Sequence, residues 1–301
     1  MNFKVDPQVC PSLPGRITFK NSHLKKIDTH QHFWKMSQAG KILDDFRTRT
    51  IQRDFLPGDI SPVLNRNGFD GCVAVQINPS EKETDFLITL AKTHGFIKGV
   101  VGWVDLQADD INERLQWYKS FTLVKGFRHA LEKETSRDLM LHPRFKRGIS
   151  ALQRFGFSYD ISINPDQLGF AADLVAAYPE QKFVVDHLGK PSVQLKEIEE
   201  WKKEITRLAK FPNAYCKISG LVTEANWQSW SYKDFIPFID VVVNAFGTDR
   251  IMFGSDWPIS LIAARYEEVL AIVENYFSRF SPKDKEMFYR QNAINFYGLQ
   301  N

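Results

Sequence analysis

Four side chains of this sequence are of types that do acid–base or metal chemistry, and all fall where strands ought to end. His30 and His32 stand in "KIDTHQHFW" (26–34), His187 in "KFVVDHLGK" (182–190) and Asp256 in "RIMFGSDWP" (250–258). Residues two apart on a strand project to the same face, so the first two imidazoles should point together. Neutral imidazole and carboxylate are good zinc ligands. The same groups without a metal can polarise a carbonyl and deprotonate a water. Each alone has a plainer use: a buried histidine can simply bond a neighbouring loop, and an aspartate before Trp-Pro can cap a helix. At the ends of the first, sixth and eighth strands of one barrel they reinforce one another.

The elements that must position them recur regularly. Apolar, β-branched or aromatic runs occupy 27–34, 71–77, 96–104, 123–129, 157–163, 182–187, 213–219 and 250–256, with mostly helical patterns between. The spacing of Phe86, Leu87, Leu90 and Ala91 behind an acidic turn predicts a helix over 80–95. A helix over 260–277 follows from Ile262, Tyr266, Val269, Val273 and Phe277, and another over 281–299 from Ser281 and Pro282 at its start. Alternating β and α elements imply a parallel sheet, and eight of each imply closure into a (β/α)8 TIM barrel. An open doubly wound sheet would call for a Gly-rich loop after the first strand, and that strand ends in His-Gln-His. The expected layout is an N-terminal arm, 1–25, packed outside a single barrel domain, 26–301.

Composition narrows the partners. With 43% hydrophobic residues a large core is available, and a formal charge of +3 is too small to argue for nucleic acid or an anionic membrane. Cys10, Cys72 and Cys216 are an odd number, widely spaced, and read as reduced thiols. No apolar run approaches a membrane span, so a cytoplasmic protein is expected.

"IDTHQHFW", "VVDHLGKP", "CKISGL", "FGSDWP" and "NAINFYG" together resemble the amidohydrolase superfamily, and within it the amidohydrolase-related branch of sugar-acid lactonases. The resemblance spans residues 27 to about 298. It implies a barrel whose catalytic centre maps onto His30, His32, His187 and Asp256, and a small-molecule lactone as substrate. The chain departs from many metal-dependent relatives at the fifth strand, "GFSYDISINPDQL" (156–168), which offers Asp160 and no histidine. The expected metal set is therefore His30, His32 and Asp256, holding one divalent ion, zinc by preference, weakly or dispensably.

Basic and aromatic residues near the same strand ends form a second tier. Arg128, Lys190 and Lys217 suit a substrate rich in hydroxyl and carbonyl oxygen. Strand alternation keeps Arg128 and His129 on opposite faces; Arg128 is preferred and His129 held in reserve. Trp34 and Trp257 could cover a sugar ring or merely roof the core. Gln76 and Trp103 are weaker candidates, and Asp28 is expected on the face of His30 but deeper. The leading expectation is hydrolysis of a sugar-acid lactone, with Asp256 as general base and the three imidazoles polarising the carbonyl. Two rivals are a metal-dependent decarboxylase or amidase on the same barrel, and a sugar-acid-binding barrel without chemistry.

Overall fold

The computed structural model describes residues 24–37 and 46–300. Eight parallel strands follow one another in sequence order around a single sheet: β1 (Lys26–Gln31), β2 (Phe69–Val75), β3 (Ile97–Gly102), β4 (Val124–Ala130), β5 (Ser158–Ser162), β6 (Phe183–Val185), β7 (Ala214–Ile218) and β8 (Ile251–Phe253). The first and last strands meet beyond their formal ends, where Asp256 N donates to His30 O at 2.9 Å and His32 N to Trp257 O at 2.8 Å. The (β/α)8 barrel is thus drawn together at the expected catalytic residues. The expected arm lies outside the described residues save for its last two.

The helices form the outer layer: α1 (Pro57–Arg66), α2 (Glu81–Thr93), α3 (Ile111–Lys119), α4 (Pro143–Phe155), α5 (Leu168–Ala177), α6 (Glu199–Ala209), α7 (Tyr232–Phe246), α8 (Tyr266–Phe277), α9 (Pro282–Glu286) and α10 (Asn292–Tyr297). α4 shows the local logic. Pro143 opens it, Phe145, Ile149 and Leu152 face the strands at helical spacing, and Gly156 ends it in the left-handed conformation. Two expected helices are revised. Residues 259–262 form a separate 3-10 turn, and α8 starts only at Tyr266, where Glu268 receives the Arg265 backbone N–H at 2.7 Å. The helix expected over 281–299 is α9 and α10 joined by a π segment, Met287–Gln291.

Two apolar clusters follow from the two strand faces. The large one lies between strands and helices. The smaller one fills the barrel interior with Ile27, Val73, Val75, Val101, Val184 and Met252, plugged from below by Phe296, Tyr297 and Leu299 of the C-terminal segment. Strands buried on both faces are what a parallel barrel requires. Cys72 and Cys216 are buried free thiols within this core.

Candidate active site

Above that apolar layer the inward positions turn polar. Arg128 on β4, Asp160 on β5 and Lys217 on β7 look inward, joined by Asp186 and His187 just past β6. His30 lies 4.9 Å from His32 and 4.4 Å from His187 between ring centroids. His32 Nε2 is 3.3 Å and His30 Nε2 3.9 Å from Asp256 Oδ1. All four expected residues therefore meet in one place.

Two of them stand in strained backbone. His187 has φ 54° and Asp256 φ 59°, the left-handed region that non-glycine residues seldom occupy. Such residues cost of order 1–3 kcal/mol each and persist only where their surroundings hold them. The turn after β6 is held by Trp201 Nε1 donating to Leu188 O at 2.8 Å and by His187 N on Ser219 Oγ at 3.3 Å. Glycines make room: a Cβ on Gly220 would sit 2.6 Å from His187 Nδ1, and one on Gly254 would sit 2.7 Å from His30 Cβ.

Hydrogen-bond partners constrain the imidazoles to different degrees. Val75 O can only accept, so His32 Nδ1, 2.7 Å away, donates to it. A neutral His32 then turns an Nε2 lone pair toward the Asp256 carboxylate, acceptor against acceptor, and a proton or a cation must fill that gap. Each His30 nitrogen meets a cation that can only donate, Arg128 Nη1 at 3.3 Å from Nε2 and Lys217 Nζ at 3.3 Å from Nδ1. Asp186 Oδ1 lies 3.4 Å from the same Nδ1, so His30 sits between two cations and a carboxylate. His187 Nδ1 is 2.9 Å from Ser219 Oγ, a hydroxyl able to donate or accept, so His187 Nε2 can present either a hydrogen or a lone pair.

Electrostatics agree with neutral imidazoles around an ionised carboxylate. Burial holds His30 well below the usual imidazole range and brings His187 down to about 4. Burial alone would raise Asp256, but His187, His32 and His30 outweigh it and keep the carboxyl below its ordinary value.

Among the described residues, one set of donors suits a metal ion: His30, His187 and Asp256, each offering a ligand atom within 4.8 Å of the others. Two imidazoles and a carboxylate with room for water or substrate is an open zinc-type donor set. It differs from the expected His30, His32 and Asp256 in its second imidazole. The left-handed turn brings His187 into the set, while His32, bonded to Val75 through Nδ1, keeps its Nε2 3.3 Å from Asp256 Oδ1.

The second tier sorts by burial. Arg128 is almost enclosed, bonding Asp186 Oδ2 at 3.2 Å and His30. Gln76 clamps it: its amide donates to Arg128 O at 2.9 Å and its backbone oxygen accepts from Arg128 Nη2. A substrate contact for Lys217 does not fit this geometry, because the ammonium is wholly enclosed between Asp160 and Asp186. Asp160 faces that ammonium, away from the metal-type set. Lys190 stands nearer the surface, paired with Glu132 at 3.3 Å.

Neither tryptophan lies open as a sugar platform. Trp34 donates to Arg53 O and packs on Phe55, and Trp257 stands edge-on to Phe33 and Phe55, both nearly fully buried. They roof the core, although Trp34 also edges a cavity with Phe33, Asn78 and Phe86. His129 turns outward to Glu134, and Trp103 is tilted against it.

Asp28 does not share a face with His30. β1 is irregular between Asp28 and Gln31, and Asp28 takes Ser255 N at 2.9 Å and Tyr266 OH at 3.2 Å on the helical side. The residues not foreseen are Asp186, Ser219 and Glu132. Asp186 was signalled only by its place beside His187 in "VVDHLGK".

Comparison with known proteins meets this geometry. The amidohydrolase family pattern matches residues 27–299. The chain belongs to the amidohydrolase family. An L-fucono-1,5-lactonase of Burkholderia multivorans is 34% identical over 285 residues, 91% of this chain and 96% of that protein. Another L-fucono-1,5-lactonase, from Burkholderia ambifaria, is 32% identical over 281 residues, with the same coverage of 91% and 96%. A crystal structure of an amidohydrolase from Burkholderia multivorans with bound zinc superposes with a TM-score of 0.87 at 34% identity, covering 92% of this chain and all of that one. The amidohydrolase fold and the hydrolase class are therefore common ground.

Proposed function

We propose that this amidohydrolase-family chain is a lactonase that opens a sugar-acid lactone, of the L-fucono-1,5-lactone type, to the hydroxy acid. The observation that carries the reading is the meeting of Asp256 with His30, His32 and His187 at the barrel mouth, beside the enclosed guanidinium of Arg128. The likeness to L-fucono-1,5-lactonases at 32–34% identity supports the substrate class.

In this reading Asp256, ionised and 3.3 Å from His32, takes a proton from the attacking water, and His32 shares it. His187, with Ser219 donating to its Nδ1, presents an Nε2 hydrogen to the carbonyl oxygen as negative charge develops there. Arg128 adds a fixed positive charge. Collapse of the tetrahedral intermediate breaks the bond to the ring oxygen, which takes the proton held by Asp256 and His32. In the same reading Lys190 and Glu132, paired nearer the surface, would meet hydroxyls of the lactone.

A metal-dependent second reading is favoured by the facing acceptors of His32 and Asp256 and by the donor set of His30, His187 and Asp256. A divalent ion such as zinc, held by that set, would supply Lewis-acid polarisation and acidify water. An ester carbonyl is electrophilic enough to need little such help, so lactone opening is expected to survive chelation largely intact, with partial metal content as purified. Complete loss on chelation, restored by one divalent metal, decides for the second reading. A panel of sugar lactones including L-fucono-1,5-lactone, followed with a pH indicator, tests the substrate class. Turnover of at least one is expected, and a purified, folded protein that opens none refutes the proposal.

A further inference from the structure

The barrel closes at its least laddered junction. Neighbouring strands from β1 to β8 are paired in ladders, whereas the junction of β8 with β1 has, among the described residues, one isolated bridge, Gln31 with Trp257. Both halves of the site stand there, the first-strand imidazoles on one side and Asp256, with φ 59°, on the other. Side chains supply what the ladder does not. Thr29 Oγ1 donates to Phe253 O at 2.6 Å. Asp28, wholly buried, spans the junction with a single oxygen: its Oδ1 accepts from His30 N at 3.1 Å and from Ser255 N at 2.9 Å. Its Oδ2 accepts from Gln31 Nε2 at 2.8 Å and from Tyr266 OH, at the start of α8, at 3.2 Å. Ser255 passes the hold on, because its Oγ accepts at 3.0 Å from Trp257 N, on the far side of Asp256.

A carboxyl group in this place is costly to bury, and an apolar side chain would fill the helical face of β1 without that loss. What an apolar group could not do is bond two main-chain N–H groups from distant parts of the chain. The bond to His30 N is a local Asx-type turn at the irregular stretch of β1 between Asp28 and Gln31. The bond to Ser255 N fixes the residue before the left-handed Asp256. We propose that Asp28 is a positioning residue: through one oxygen it sets His30 and Asp256 at their working separation, 3.9 Å from His30 Nε2 to Asp256 Oδ1. Asp28 lies on the helical side of the strands, against Tyr266 of α8, and so acts without touching substrate. Outer hydrogen-bond partners orient reacting side chains in the same way at many sites. The catalytic half of this role rests on the lactonase reading above.

The test uses the full-length chain with Asp28→Ala, Asp28→Asn and Tyr266→Phe. Alanine removes the bracket. Asparagine keeps an oxygen for both main-chain donors, and Gln31 can turn over to receive its amide, since Gln31 Oε1 has no partner among the described residues. Tyr266→Phe removes only a contact to Oδ2. In metal-stripped protein, hydrogen exchange followed by mass spectrometry should show protection lost at 26–34 and 250–258 in Asp28→Ala, with the other strands unchanged, and kept in Asp28→Asn. The kcat of Asp28→Ala for L-fucono-1,5-lactone should fall by roughly 10–100-fold, with KM within about threefold. Asp28→Asn and Tyr266→Phe should keep kcat within about threefold of the wild type. A folded Asp28→Ala with undiminished kcat, or with exchange raised evenly across the barrel, overturns the proposal. Should alanine prevent folding, asparagine decides: a folded Asp28→Asn with kcat down about tenfold or more overturns the proposal, and one that keeps both rate and protection supports it. A wild type that opens no lactone, while Asp28→Ala still loses protection at those two segments alone, sinks the lactonase reading and leaves the positioning role standing.

Discussion

His187 shows how far the fold decides a single residue's chemistry. Burial brings its pKa down to about 4, with Asp256 and Asp186 opposing that shift only in part. Its unfolded value is about 6.5, so between the two values the unfolded chain binds more protons than the native one. Stability therefore rises with pH through that window and is lost as pH falls, at up to about 1.4 kcal/mol per pH unit for this group. The melting temperature of metal-stripped protein should drop from about pH 7 to about pH 5, and less steeply in His187→Gln; equal slopes would refute the assignment. The residue types at the centre were legible in the sequence because chemistry of this kind needs imidazole and carboxylate. Asp186 was not, because strand alternation sends neighbours to opposite faces, whereas the left-handed turn at His187 brings both into the mouth. Lys217 read as a basic side chain at a strand end, and its enclosure depends on acidic partners from two other strand ends that no local pattern reveals.

Element ends carry the precision of this site. Gly220 has φ 63°, and its missing side chain is the space occupied by the His187 ring. Gly220→Ala should therefore displace that ring as well as strain the turn, lowering stability by roughly 1–3 kcal/mol. The proposed lactone opening should fall at least about tenfold with it, since small misplacements cost more than that in rate. A variant with wild-type turnover would show that the close approach is unimportant. All eight strands lie within the runs that periodicity picked out or overlap them by most of their length, because buried parallel strands are written in near-continuous apolar letters. Their last residues were misjudged: β6 and β8 are three residues each, and the rest of those runs forms the turns that present His187 and Asp256. The irregular stretch of β1 likewise turned Asp28 away from His30, a break in period two that side-chain types alone do not announce.

The whole molecule is a barrel sealed from below by its own C-terminal segment. Phe296 packs among Ile27, Val73, Val101 and Met252 in the interior cluster and against Tyr215. Phe296→Ala should cost about 3–5 kcal/mol in denaturant unfolding, as for other large aromatic deletions in a core; a loss below about 1 kcal/mol would mean the plug is not part of the cooperative unit. The barrel itself was legible from strict β/α alternation, whereas the plug was not. "NAINFYG" reads as an ordinary amphipathic helix, and only closure of the sheet creates the hole that it fills. No described helix is long and apolar enough to cross a membrane.

The central claim, that Asp256 is the base of a lactone-opening site, is tested most directly by the kcat of Asp256→Asn on the sugar lactone that the wild type opens fastest. The substitution keeps the shape and removes the basicity. The account predicts a fall of roughly 10²–10⁴-fold with folding retained. A folded Asn variant that turns over at near the wild-type rate would contradict it.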